Sequence, residues 1–272
     1  MAPRHSSVNE STDASATDEL LRRYRQSAQK RLDSTGTIET GAGFFEVNGS
    51  QISFAADPGC ETFNDDFVSV WRPKQTGAIH WAAAIADGVT GSLLAKEAAE
   101  LACLWGLAAI AKGNGGIRSS SRNPIAVVAR LFHQIGRQVL LQPEKFIPAG
   151  CPKSVWEIAT REGKFLQTTL NLIWSTEDGI RVMAVGDGGL LYSLVDAPAK
   201  VASHQFGSGK LQCIGPRSAT ADSEAYLLAN WKCFACHTDG MADSVQELSD
   251  LPERLFDSEY TAASVKRQFS IC

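Results

Sequence analysis

The stretch that most restricts what this chain can become is Ile79 to Ser92, IHWAAAIADGVTGS. Ile79 to Ala86 is an apolar run and predicts a buried strand. Asp87 ends it, and Gly88, Gly91 and Ser92 follow at once. Leu93 to Lys112, rich in alanine and leucine, predicts a helix. A carboxylate at the mouth of a buried strand is costly unless something positive sits on it. Two readings stand at this point. Either Asp87 or Ser92 caps the helix, or Asp87 holds a metal ion.

The chain has 272 residues, 44% of them hydrophobic, enough for one sizeable core or two small ones. A formal net charge of −4 offers no basic stripe for nucleic acid or an anionic membrane. Lys96, Glu97 and Glu100 interrupt the longest apolar stretch, so no membrane-spanning helix is expected. Residues 1–16 are polar, without the basic-then-apolar order of a secretory signal, and predict a disordered tail on a cytoplasmic protein. Seven cysteines at irregular spacing fit mostly free, buried thiols in a reducing compartment.

Thr17 to Leu32 predicts a charged helix with a thin apolar stripe of Leu20, Leu21, Tyr24 and Leu32. Residues 17–40 are therefore expected to be a solvated flanking helix, or a partner contact, with a linker. The folded domain is expected over 41–272. Gly43 to Val47 and Gln51 to Ala56, joined by Asn48-Gly49, predict a hairpin. Phe67 to Trp71 predicts a strand. Pro124 opens a segment whose apolar positions Val128, Leu131, Phe132, Ile135 and Val139 predict a helix. Leu166 to Ser175, Arg181 to Val185 and Leu190 to Val195 predict three strands in a meander, and Ala225 to Ala229 and Lys232 to Thr238 predict two more.

Four carboxylate positions share a form. Asp65-Asp66 precedes a strand, Asp87-Gly88 and Asp239-Gly240 end strands, and Asp187 sits between Gly186 and Gly188. Hard divalent cations take carboxylate and carbonyl oxygens, and a glycine after the aspartate lets its carbonyl approach. With Asn64-Asp65-Asp66-Phe67, Ala84-Ile85-Ala86-Asp87-Gly88, Gln167-Thr168-Thr169-Leu170, Val185-Gly186-Asp187 and Thr238-Asp239-Gly240 in this order, the chain resembles the PPM family of type 2C metal-dependent protein serine/threonine phosphatases.

The resemblance implies an α+β fold, a four-layer α-β-β-α sandwich of two antiparallel sheets, with two Mn²⁺ or Mg²⁺ ions at one end. It implies that Asp87 bridges both ions and that Asp65 and the Gly88 carbonyl hold one of them. Asp239 and a C-terminal acidic residue, best matched by Glu259, would hold the other. Asp66 and Asp187 would act on metal-bound waters or on motif geometry. The implied substrate is a phosphoprotein, such as a kinase-regulated protein.

Two departures matter. The family carries an Arg ahead of its Asn-Glu-Asp motif to hold phosphate; Glu61 stands about there, so either Arg72 and Lys74 hold the phosphate or activity is weak. A pseudophosphatase that binds a phosphoprotein without turnover is the alternative this motivates. The family histidine after Asp-Gly is Val89 here; His237 is either the substitute acid or a buried, hydrogen-bonded side chain. Cys233-Phe234-Ala235-Cys236-His237 matches a haem-attachment pattern, but no export signal accompanies it, and zinc would need a second ligand pair.

Overall fold

Successive apolar runs pair into a six-stranded antiparallel sheet in the computed structural model, which describes residues 15–47, 50–56, 65–113, 123–195, 202–206, 212–217 and 223–238. Its strands are β1 (Gly36–Thr40), β4 (Phe67–Pro73), β5 (Ile79–Ala86), β6 (Leu170–Thr176), β7 (Gly179–Val185) and β10 (Glu224–Leu228), in the order β1-β4-β5-β6-β7-β10. A second layer holds β11 (Trp231–His237), β8 (Gly189–Leu194) and β9 (Ala202–Gln205), in the order β11-β8-β9. The hairpin β2 (Ala42–Val47) and β3 (Ser50–Ala55) pairs as Asn48-Gly49 predicts, with Val47 opposite Ser50.

The strands alternate between two cores, as a pleated sheet covered on both faces must. On one face, Ala82, Ala84, Ala86, Leu170 and Leu172 pack against helices. On the other, Val68, Val70, Ala83, Ile173, Val182 and Ala184 meet Leu190 and Phe206 of the second layer and Phe45, Ile52 and Phe54 of the hairpin. Trp81 of β5 stacks on Phe234 of β11, ring centroids 6.2 Å apart.

The helical layer consists of α1 (Ala16–Thr35), α2 (Ala95–Gly113), α3 (Pro124–Leu141) and α4 (Lys153–Glu162). From Leu101 to Ala111 helix α2 is apolar on every side because α1, α3 and the sheet surround it. Asn123 caps α3, its side chain accepting from the N–H groups of Ile125 and Ala126. The helices, the six-stranded sheet and the second strand layer give α-β-β among the described residues.

Three expectations are corrected here. The flanking helix is not solvated: Leu21, Ala28 and Leu32 of α1 are at most 2% exposed in the same core as α2 and α3. The Trp105 indole donates to the Tyr24 carbonyl at 3.2 Å, and Arg25 pairs with Glu100 of α2 at 2.6 Å. Burial raises the Glu100 carboxyl above its usual range, with Arg25 pulling the other way. The thin stripe was wide enough because small Ala28 lets the helices approach. Residues 36–40, expected as linker, add β1 to the sheet edge.

The second correction concerns the meander. β6 pairs with β7, but β8 leaves for the other sheet and pairs with β9 and β11. Gly186-Asp187-Gly188 is thus a crossing between layers; Gly186, at φ +121°, turns the chain where other residues are strained. The third is α4, which lies past the expected 143–152 loop and was not foreseen. Its buried residues are only Trp156, Ala159 and Thr160, too few for a visible helical period.

Candidate active site

Antiparallel pairing decides where the acidic residues go. β4 and β5 pair with Phe67 opposite Ala86, so the start of one strand adjoins the end of the other. Asp65 and Asp66, just before β4, are thereby brought beside Asp87 and Gly88, just after β5. The Gly88 N–H donates to the Asp65 carbonyl at 3.2 Å. Gly88 is buried, and a Cβ there would lie 2.5 Å from the Ala95 carbonyl carbon, inside the first turn of α2. Only glycine admits both the aspartate loop and the helix start at this spacing.

The same end of β6 fixes the Asp87 backbone. The Asp87 carbonyl accepts from the Thr169 N–H at 2.8 Å and the Thr168 hydroxyl at 2.7 Å, while the Asp87 N–H donates to Thr169 Oγ1 at 3.1 Å. Thr168 and Thr169 are buried, so these bonds work in a dry environment where they hold firmly. Thr169 also fills the space over Gly186, where an added Cβ would lie 2.5 Å from it. The β7-to-β8 crossing, with Asp187, therefore stands at this end too. The Ser92 hydroxyl accepts from the Gln167 N–H at 3.0 Å, tying the loop after Asp87 to β6.

β11 ends at this end as well, His237 opposite Gly189. His237 Nδ1 lies 2.7 Å from the Thr238 carbonyl, and the His237 carbonyl accepts from Asn171 Nδ2 at 3.1 Å. Asp239, Glu259, Glu61 and Asn64 lie outside the described residues. Behind Asp66, the Cys103 thiol donates to the Phe67 carbonyl at 3.4 Å. Burial first, and then the Asp66 charge, push its pKa well above the ordinary thiol value.

Arg72 and Lys74 are not brought here. They sit at the opposite end of β4, six or more residues from Asp66, which at the rise of a strand is about 20 Å. Arg72 pairs with Glu39 of β1 and lies over the Phe45 ring, 5.0 Å from its centroid. Lys74 donates to the Asp33 carbonyl at 2.6 Å. A strand separates its two ends, so Arg72 and Lys74 stand away from Asp65 and Asp87, and adjacency in sequence said nothing of that.

Sequence reasoning quoted Thr168 and Thr169 as motif but assigned them no work, and missed Asn171 altogether. An asparagine inside Leu170–Trp174, an otherwise apolar run, is the signal that could have found it. Among the described residues, no three His, Cys, Asp or Glu side chains group closely enough to hold a metal ion. The donors that do gather, carboxylates and backbone carbonyls, are those a hard divalent cation takes. No described helix is long and apolar enough to cross a membrane.

Antiparallel strand layers beneath helices, as in this chain, are also the fold of solved phosphatase structures. A bacterial serine phosphatase carrying an Arg-to-Glu substitution aligns with TM-score 0.54 at 15% identity, covering 85% of this chain and 90% of its own. Serine/threonine phosphatase Stp1 from Staphylococcus aureus aligns with TM-score 0.52 at 14% identity, covering 86% and 89%. No curated protein matches the sequence. The sequence pattern of the family described as Protein phosphatase 2C matches residues 60–269, and the chain belongs to that family. By class it is a protein serine/threonine phosphatase.

Proposed function

We propose that this enzyme hydrolyses phosphoserine and phosphothreonine in proteins, with Mn²⁺ or Mg²⁺ ions held by Asp65, Asp87, the Gly88 carbonyl, Asp239 and Glu259. The observation that carries the reading is the Gly88-to-Asp65 backbone bond, which joins two acidic segments about twenty residues apart in sequence. When bound, a pair of such cations lowers the pKa of an attacking water and neutralises charge on a phosphoryl group in an in-line displacement.

The chain's own residues set the stage. Thr168 and Thr169 hold the Asp87 backbone, so its carboxylate is presented without reorganisation. Asp66 and Asp187 orient water at the mouth between the sheets. His237 is the candidate proton donor to the leaving serine or threonine oxygen. The two bacterial phosphatases described above carry serine phosphatase or serine/threonine phosphatase in their descriptions, which favours that substrate class.

The test is hydrolysis of a phosphothreonine peptide or p-nitrophenyl phosphate. Activity is expected with Mn²⁺, and its loss with EDTA. Asp87→Asn and Asp239→Asn are each expected to abolish turnover, and calorimetry to find two Mn²⁺ sites. Full activity in both variants would rule out the mechanism.

A further inference from the structure

Two sheets packed face to face are held mainly by apolar contact, which is not directional and leaves their relative sliding weakly specified. A site that draws groups from both sheets needs something more. The first sheet delivers Asp65 and Asp87; the chain leaving β11 of the second runs through Thr238 into Asp239 in sequence.

Asn171 lies where that link is needed. It is 2% exposed, on β6, opposite Ile85 of β5 on one side and Ala184 of β7 on the other. These are the strands that run on into Asp87 and Asp187. Its side chain leaves the first sheet on the face of Ile173, toward the second layer, and Nδ2 donates to the His237 carbonyl at 3.1 Å. The fit is close. A Cβ on Gly188 would lie 2.3 Å from the His237 carbonyl oxygen and 2.6 Å from Asn171 Nδ2. Gly188 is itself fixed, since its carbonyl accepts from the Phe206 N–H at 2.8 Å. The neighbours of Asn171 on that face, Ile173 of β6, Ile85 of β5 and Ala184 of β7, are apolar, so packing alone gives no reason for an amide here. A buried amide that bonds across two layers fixes their register in a way a leucine cannot.

We propose that Asn171 is a positioning residue: it sets the end of β11, from which the sequence runs on to Asp239, against the Asp87 and Asp187 loops. The consequence for cation binding rests on the function proposed above; the clamp itself does not.

Asn171→Leu keeps the branched shape and the number of heavy atoms and removes the donor. In metal-free protein, hydrogen exchange of the peptides covering 186–190 and 234–238 is expected to accelerate in this variant, while exchange in α2 stays as in the parent. Unchanged exchange in both peptides would overturn the clamp. Calorimetric titration with Mn²⁺ is expected to give a dissociation constant about 10-fold higher or more, the usual effect of removing an outer support of a metal site. Leu172→Ala, a cavity one residue away, is expected to lower the melting temperature without moving that constant. An Asn171→Leu constant equal to the parent's would overturn the link to cation binding. A parent protein that binds no Mn²⁺ would sink the metal reading and leave the exchange result to judge the clamp. Should Asn171→Leu fold poorly, Asn171→Ala supplies the same test, since it has no donor and Leu172→Ala stands beside it as the cavity control.

Discussion

Gly88 shows how little room the site leaves a single residue. Its N–H is committed to Asp65, its neighbour's carbonyl to Thr168 and Thr169, and its missing side chain to the start of α2. Gly88→Ala is expected to cost roughly 1–3 kcal/mol of stability, the usual range for overpacking. The larger effect falls on turnover. Displacing the Asp87 loop by a fraction of the added atom's diameter is expected to lower kcat about 10²-fold. Steady-state kinetics beside urea denaturation separate the two, and near-parental kcat would show that the loop tolerates the shift. Asp87-Gly88 was legible in the sequence as a dipeptide, but the reason for its glycine was not, because Ala95 comes to face it only through packing.

At the scale of elements, α1 is the part whose weight in the fold was least visible. Charged residues dominate its sequence, and Glu19, Arg22 and Arg23 pair along its exposed side. Such pairs contribute little; the buried side holds the helix. Leu32 is fully buried beneath it, so Leu32→Ala is expected to cost roughly 2–5 kcal/mol by equilibrium denaturation. A solvated helix would lose no more than about 0.5 kcal/mol, and such a result would return α1 to the periphery. The strands were easier to foresee than their partners. Leu190 to Val195 carries a strand pattern, yet whether a strand continues its sheet or crosses to another depends on the turn and on what waits opposite. Gly186 and Thr169 made that choice here.

For the whole molecule, the two cores share one sheet, and their cooperativity can be read from a thiol. Cys103 is fully buried in α2 behind Asp66, and burial holds its thiol protonated well beyond the usual range. The thiolate is the reactive form, so iodoacetamide at pH 8 is expected to leave Cys103 unmodified until the fold opens. Its labelling midpoint in urea should coincide with the loss of tryptophan fluorescence order. Labelling well before that transition would show that the aspartate end of the helical layer opens on its own.

The sequence by itself determined most strands and helices from apolar periodicity, though not β1, β9 or α4, and also the hairpin from Asn48-Gly49 and the ordered set of aspartates, because these signals are local and each is written in adjacent residues. Tertiary structure alone decided that Asp65 and Asp87 meet while Arg72 and Lys74 are carried to the far end of β4, and that Asn171 reaches His237. Antiparallel register converts distance along the chain into proximity at one strand end and separation at the other, and that conversion needs the partner strand, which no local pattern names.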